Sequence, residues 1–478
     1  MSTLTRTHAD PDTTSARRRW AVLAVVLAAS VLDLIDATIT NIAAPAITED
    51  LGGGKSLVQW LGASYALALG VLLVVGGRLG DKYGRRRLFL TGLTGFTLSS
   101  IACGLAVNPE SLVLARLTQG AFGALLIPQG FGILGTVFPR NEIGKAFSVF
   151  APALGASSVG GPILAGFLLD ADILGLGWRT IFLINIVLGG CAVIAAARLL
   201  PHDTGDPATT VDGLESALLG ATMLGLLYSL IDGSEHGWTR APLLCMAAAA
   251  ACFALFCRRQ LRTPHPLIEP SLLKNRGFTS GLILGVAFFA AVSGLLYVLS
   301  LFLQHDLGRT PLHAALGLMP ISVGIVISSF ASYRLIARLG RTLVLIGLCV
   351  TLLGTAWLLT LVLALGTATG GWALVPPAFV IGLGMGACFG TIYTIAVGDI
   401  NPHEAGSASG SLNAVQQLAN GIGAAAVTTV YFRSPQSGGG ADGDARAMTN
   451  SLWVVAAAIA VSCCLVALLP RRAQPLED

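Results

Sequence analysis

The sequence predicts an all-α polytopic membrane protein. Three observations carry this reading. Of 478 residues, 54% are hydrophobic and 11% charged, against roughly a quarter charged in a typical soluble domain. The apolar residues fall into successive runs of about twenty, the length that crosses a bilayer. The basic residues crowd at the ends of those runs, which is how membrane topology is encoded. A net charge of +4 spread in this way does not point to a nucleic-acid partner.

Taken in order, runs bounded by charges, glycine or proline give fourteen spans. They lie at about residues 20–41, 57–77, 88–106, 111–136, 145–169, 178–200, 213–231, 241–258, 278–304, 311–337, 342–365, 372–397, 406–431 and 451–469. The first follows Arg17, Arg18, Arg19 and Trp20 and resembles a signal peptide. No small-residue cleavage site precedes Asp33, so an uncleaved helix is expected. Of the 29 lysines and arginines, Lys55, Arg179, Arg240, Arg309, Arg433 and Arg446 fall on outer segments and Arg116 within a span. All others fall inside when the N-terminus is inside, so both termini are expected in the cytoplasm, with the chain multi-pass in the cell inner (plasma) membrane. All nine cysteines lie in or beside apolar runs and read as small buried hydrophobes rather than disulfides or metal ligands. The stretch Ser434 to Arg446, rich in Gly and Ser, reads as a flexible outer loop.

The chain also repeats itself. RLGDKYGR (Arg78–Arg85) after the second span matches RLIARLGR (Arg334–Arg341) after the tenth at five of eight positions, counting Lys and Arg as equal. EIGKA (Glu142–Ala146) and EAGSA (Glu404–Ala408) precede the fifth and thirteenth. Both matches shift by eight spans, as two six-helix halves separated by two extra helices require. The expected organisation is a cytoplasmic tail 1–19, an N-terminal half 20–200, two additional helices within 201–258, a cytoplasmic linker 259–277, a C-terminal half 278–470 and a tail 471–478. Repeats of this kind are a transporter device, with the substrate site between the halves.

GRLGDKYGRRR (Gly77–Arg87) is read as a short cytoplasmic loop joining spans two and three. Its glycines permit a tight turn, and its one acid, Asp81, stands among five bases. A plain positive-inside loop would explain the arginines but not the glycines around an acid. Gly77, Leu79, Asp81, Gly84, Arg85 and Arg86 resemble the signature loop of the major facilitator superfamily. The resemblance implies a conformational latch of Gly77, Asp81, Gly84 and Arg85, the acid engaging the positive N-terminal end of a helix in the other half. Here that helix would be the thirteenth span, near Ala405. The second copy carries Ala337 in place of the acid, so the latch would be one-sided.

Further stretches resemble the fourteen-helix drug:proton antiporters of that superfamily. They are IDATITNIAAP (Ile35–Pro45), ARLTQGAFGA (Ala115–Ala124), GASSVGGPILAG (Gly155–Gly166), GWRTIFLINI (Gly177–Ile186) and AGSASGSLNAVQQLANGIG (Ala405–Gly423). The third is the antiporter motif of helix 5, with Ala165 replacing one family glycine. Gly155, Gly160, Gly161 and Gly166 would open a groove for close helix approach, and Pro162 favours a kink. Ordinary small-residue packing is the plainer alternative.

Asp33 and Asp36 lie one turn apart on the first span, where an acid is costly unless it meets a partner or a wet cavity. At about 1.5 Å per residue, Asp36 lies about 6 Å and Asp33 about 10 Å below the outer edge of the apolar core. Arg116, entering from outside on the fourth span, lies about 7 Å below that edge by the same rise. Asp36 and Arg116 are therefore expected to meet, either as a structural ion pair or, with Asp33, as a proton-coupling site; the resemblance implies a functional acid at Asp36. The expected activity is export of lipophilic drugs or antibiotics in exchange for protons, by a monomer without cofactor or metal. Another exported cargo (a siderophore, lipid or endogenous metabolite) or a solute importer remains open. A receptor is disfavoured by the intramembrane charges. An enzyme is disfavoured because no nucleophile, metal cluster or phosphate loop stands out.

Overall fold

The computed structural model describes residues 16–206, 212–235, 237–263, 266, 268–366, 369–398, 400, 404–434 and 441–470. Most of the expected N-terminal tail, the C-terminal tail and residues 435–440 of the expected outer loop lie outside the described residues. Among those described, all regular structure is helical. The first half comprises α1 (Ala16–Leu51), α2 (Gly54–Tyr83), α3 (Arg85–Gly104), α4 (Pro109–Val137), α5 (Arg140–Ala171) and α6 (Thr180–Leu199). α7 (Gly213–Glu235) and α8 (Arg240–Gln260) follow, then a five-residue helix, α9 (Pro270–Lys274). The second half comprises α10 (Arg276–Leu301), α11 (Pro311–Leu339), α12 (Arg341–Leu365), α13 (Gly371–Val397), α14 (Ala405–Arg433) and α15 (Ala441–Leu465).

Every expected span coincides with one of the long helices, spans nine to fourteen being α10–α15. Over their described residues, ten of these helices are long and apolar enough to cross a membrane.

The sequence reading of Gly77–Arg87 as a loop is corrected. α2 runs on through the motif to Tyr83, and a single residue, Gly84, joins it to α3. Arg85 donates to Asp81 across one turn, at 3.1 Å, and Gly84 turns the chain with φ 96°, a conformation that favours glycine. The repeat reappears at this joint: Gly340, with φ 49°, links α11 to α12 in the same way. The start of α4 is set by its own sequence. Asn108 and Ser111 form a capping box and Pro109 takes the first turn, where its missing N–H costs nothing.

The packing follows one scheme twice. α2 lies on α4 as α11 lies on α13, α3 on α4 as α12 on α13, and α1 on α5 as α10 on α14. One apolar core is built by α10–α15; two others are built mainly by α1–α6, the larger of them joined by Leu219 and Met223 of α7, Phe256 of α8 and Ala414 of α14. The halves meet where α5 packs on α11 and α2 on α14. The α7–α8 hairpin is tied by Arg259, which donates twice to Asp212 (3.1 and 2.6 Å), and α7 packs on both α2 and α14. Leu227 of α7 sits between their glycines. Its methyls lie 3.4 Å and 2.9 Å from where a Cβ on Gly70 or Gly421 would be.

Candidate functional site

Five helices of the first half bring polar side chains to one buried point. Asp36 comes from α1, Arg116 and Gln119 from successive turns of α4, Asn185 from α6, Ser100 from α3 and Tyr65 from α2. Arg116 is 0% and Asp36 2% exposed, so each needs a full set of partners. Arg116 Nη1 donates to Asp36 Oδ2 (2.5 Å) and to Gln119 Oε1 (2.7 Å), and its Nε donates to the Leu61 carbonyl (3.2 Å). Gln119 Nε2 (3.0 Å) and Asn185 Nδ2 (2.8 Å) both donate to Asp36 Oδ1. Asn185 also donates to Ser100 Oγ (2.7 Å), which donates to the Phe182 carbonyl (3.1 Å). The guanidinium lies over the Tyr65 ring, 4.5 Å from its centroid, a placement that favours the cation. Arg116 Nη2 is buried without a hydrogen-bond partner.

The depth estimate thus brings Asp36 and Arg116 together. Asp33, half-buried and one turn along α1, is held differently: it accepts the Tyr65 hydroxyl. The sequence reading missed Gln119, Asn185, Ser100 and Tyr65. For the first two a signal existed, since Gln119 stands one turn from Arg116 and Asn185 is a lone amide in the apolar run IFLINI.

Gly161 of α5 stands against α1. A Cβ there would lie 2.1 Å from Thr38 Oγ1 and 3.5 Å from the Ile35 carbonyl, so the antiporter-motif helix touches the helix of the acids two residues beyond Asp36. A Cβ on Gly160 would meet nothing within 4 Å, and Gly166 is half-buried. Gly155 and the kink expected at Pro162 lie outside the residues whose side chains are described.

In the signature motif, Gly77 is buried in α2 and Arg85 Nη1 donates to the Gly132 carbonyl of α4 (2.9 Å). Asp81 takes its hydrogen bond from Arg85, and its Oδ2 is buried without a partner. Next to this motif the start of α3 receives a carboxylate, that of Asp203, which accepts the backbone N–H of Arg85 (2.7 Å) and Arg86 (3.1 Å). Arg78 reaches Glu269 beside α9 at 2.8 Å. At this basic end of the bundle, Phe131 of α4 stacks on Tyr393 of α13 across the two halves, with centroids 6.2 Å apart and planes 19° apart. At the opposite end, Asp50 accepts from Trp178 Nε1 (3.0 Å) and Arg179 Nη1 (2.7 Å). These hold its carboxyl below the usual carboxylate range, the Trp178 bond contributing most.

A buried carboxylate–guanidinium pair framed by amides, beside a half-buried second acid, can hold charge in an apolar bundle and exchange a proton. The comparisons agree with a carrier. The chain is 42% identical to the "Probable actinorhodin transporter" of Streptomyces coelicolor over 456 residues, covering 92% of this chain and 78% of the relative. It is 33% identical to "Puromycin resistance protein pur8" of Streptomyces alboniger, covering 86% and 82%. In fold it is similar to the human organic anion transporter MFSD10 (TETRAN), with a TM-score of 0.69 at 15% identity, covering 95% of this chain and all of that one. The sequence pattern of the Major Facilitator Superfamily matches residues 26–424, and the chain belongs to that family of membrane transporters.

Proposed function

We propose that this chain is a proton-driven antiporter that carries lipophilic antibiotics or related drugs out of the cytoplasm. It would act as a monomer with fourteen crossings and its basic end in the cytoplasm. The observation that carries the reading is the fully buried Asp36–Arg116 pair with Asp33 beside it, because intramembrane ionisable groups are costly and mark ion pathways. The names of the relatives support the cargo class.

The Phe131–Tyr393 stack bridges the halves at the basic end, and in this reading it is the inner gate, with the site taking its proton from outside. Protonation of one acid neutralises the excess negative charge of two carboxylates facing one arginine. A neutral site is cheaper to enclose away from water. The halves then rock about the α5–α11 and α2–α14 contacts and Phe131 parts from Tyr393. Drug binding from the cytoplasm accompanies release of the proton there, and the loaded carrier returns. The close seat of Gly161 on Thr38 transmits the change at the acids to α5. Gly77, Asp81, Gly84 and Arg85 hold the α2–α3 joint while α2 shifts against α14.

Everted membrane vesicles containing the chain test this reading, with puromycin and actinorhodin as probes. Drug uptake should follow an imposed proton gradient, stop with a protonophore, and consume the gradient when drug is added. Uptake indifferent to the gradient would refute the coupling, and absence of uptake of any antibiotic tried would refute export.

A further inference from the structure

Asp33 and Asp36 share a helix face but not a role. Three donors hold Asp36: Arg116 on Oδ2, and Gln119 and Asn185 on Oδ1. A proton added to Oδ1 of Asp36 would displace an amide and leave it buried without an acceptor, and one added to Oδ2 would leave the buried guanidinium without its counter-ion. Asp33 takes one hydrogen bond, from Tyr65 to Oδ1, so Oδ2 can be protonated without displacing any donor.

The groups around Asp33 are few. α1 adds Asp36, α2 adds Tyr65, α4 adds Arg116, and α3 adds Cys103, whose thiol points at Gln119 (3.7 Å). α6 presents the neutral Asn185; its one arginine, Arg198, lies in its last turn, and Arg179, just before its start, is engaged with Asp50 at the far end. The charged residues of α5 (Arg140, Glu142, Lys145 and Asp170) all lie in its end turns. Two carboxylates and one arginine leave one net negative charge, which one proton cancels.

We propose that Asp33 is the carboxylate that takes up and releases the transported proton, while Asp36 stays ionised as the positioning residue of Arg116. The proposal rests on the antiport reading above. The proton binds Oδ2 of Asp33, Oδ1 continues to accept from Tyr65, and release reverses the step with no other bond made or broken. Tyr65 links the two acids, since its hydroxyl holds Asp33 and its ring carries the guanidinium that holds Asp36.

Infrared difference spectroscopy of the full chain in lipid bilayers, titrated with pH, reads the protonated carboxyl directly and needs no drug. Asp33→Asn should remove one carboxyl band from the wild-type difference spectrum, and Asp33→Glu should restore one at a shifted frequency. Tyr65→Phe should keep the band and raise its C=O frequency, because a hydrogen bond to that oxygen is lost. The double variant Asp36→Asn/Arg116→Gln, neutral at both positions, should keep the band. An unchanged wild-type band in Asp33→Asn, its loss in the Asp36 double variant, or its absence from wild type would overturn the proposal. In vesicles, Asp33→Asn should retain drug counterflow and lose drug-dependent proton movement. A wild type that shows the band but carries no drug would refute export alone, whereas proton-coupled export by Asp33→Asn would refute the assignment alone.

Discussion

Adding one methyl group at Gly161 measures how tightly α5 is seated on α1. In Gly161→Ala the new Cβ would stand 2.1 Å from Thr38 Oγ1, where ordinary contact begins at about 3.4 Å, and 3.2 Å from Thr38 Cβ. Turning the threonine aside is not free. Its hydroxyl donates to the carbonyls of Leu34 (3.0 Å) and Ile35 (2.9 Å), and a β-branched side chain in a helix has few other rotamers. Overpacking of this kind costs about 1–3 kcal/mol, or roughly a 5- to 150-fold smaller population of the seated state at a factor of ten per 1.4 kcal/mol. Thr38→Ala removes the obstructing atom. The double variant should therefore recover most of the loss, with a coupling of about 1–2 kcal/mol. Gly160→Ala is the control: with nothing within 4 Å, its effect should stay within about 1 kcal/mol, on the stabilising side. Thermal unfolding of purified protein, together with transport rates, decides the matter. Wild-type stability and transport in Gly161→Ala, or a double variant no better than the single one, would show that this glycine is not a seat.

Three further outcomes are expected. Asp203→Ala leaves the first N–H groups of α3 without their carboxylate and should cost about 1–2 kcal/mol of thermal stability, with Asp203→Asn intermediate; no loss in the alanine variant would refute the cap. Asp50 has a lowered pKa in the folded chain, so its contribution is present above the unfolded value of about 3.9 and is lost as pH falls through the folded value. The stability advantage of wild type over Asp50→Asn should therefore shrink on acidification below about pH 4, and an advantage constant with pH would refute the linkage. Phe131→Ala removes the stack between the halves, worth about 0.5–1.5 kcal/mol beyond its buried area. It should widen the distance between spin labels on the basic ends of α4 and α13, and an unchanged distance distribution would refute the closure.

The spans were legible because hydrocarbon imposes length and polarity on every crossing segment, and charges punctuate the runs. The Asp36–Arg116 pair was legible for a related reason: a charge in lipid needs a partner at its own depth, and depth follows from helix rise. Neutral polar side chains carry no such demand. Tyr65, Gln119 and Asn185 could face lipid headgroups, a neighbouring helix or a cavity at modest cost, so their convergence on Asp36 and Asp33 awaited the packing. Asp203 was hidden differently. In PHDTGD it reads as a turn residue, and only the approach of residues 200–206 to Gly84 makes it a helix cap. The motif after Gly77 was misread as a loop because its glycines and charges suggest a turn, whereas α2 stays helical to Tyr83, the Arg85–Asp81 pair ties the two helices across the joint and Gly84 alone bends.

The partnership of Asp36 and Arg116 also governs how the chain is made. The two residues are 80 positions apart, and at about 5–20 residues per second the ribosome needs roughly 4–16 s to pass from one to the other. Through that interval the apolar stretch of α1 enters the bilayer with Asp33 and Asp36 and without the arginine of α4, each of the two acids opposing insertion by up to about 2.5–3.5 kcal/mol at mid-helix. Its early residence depends on the flanking arginines 17–19 and on apolar Val and Leu, until α4 arrives and neutralises Asp36. A chain without Arg116 never leaves this exposed stage, and membrane quality control meets it first as an orphan helix. Its loss should register as low abundance in the cell before it registers as failed transport.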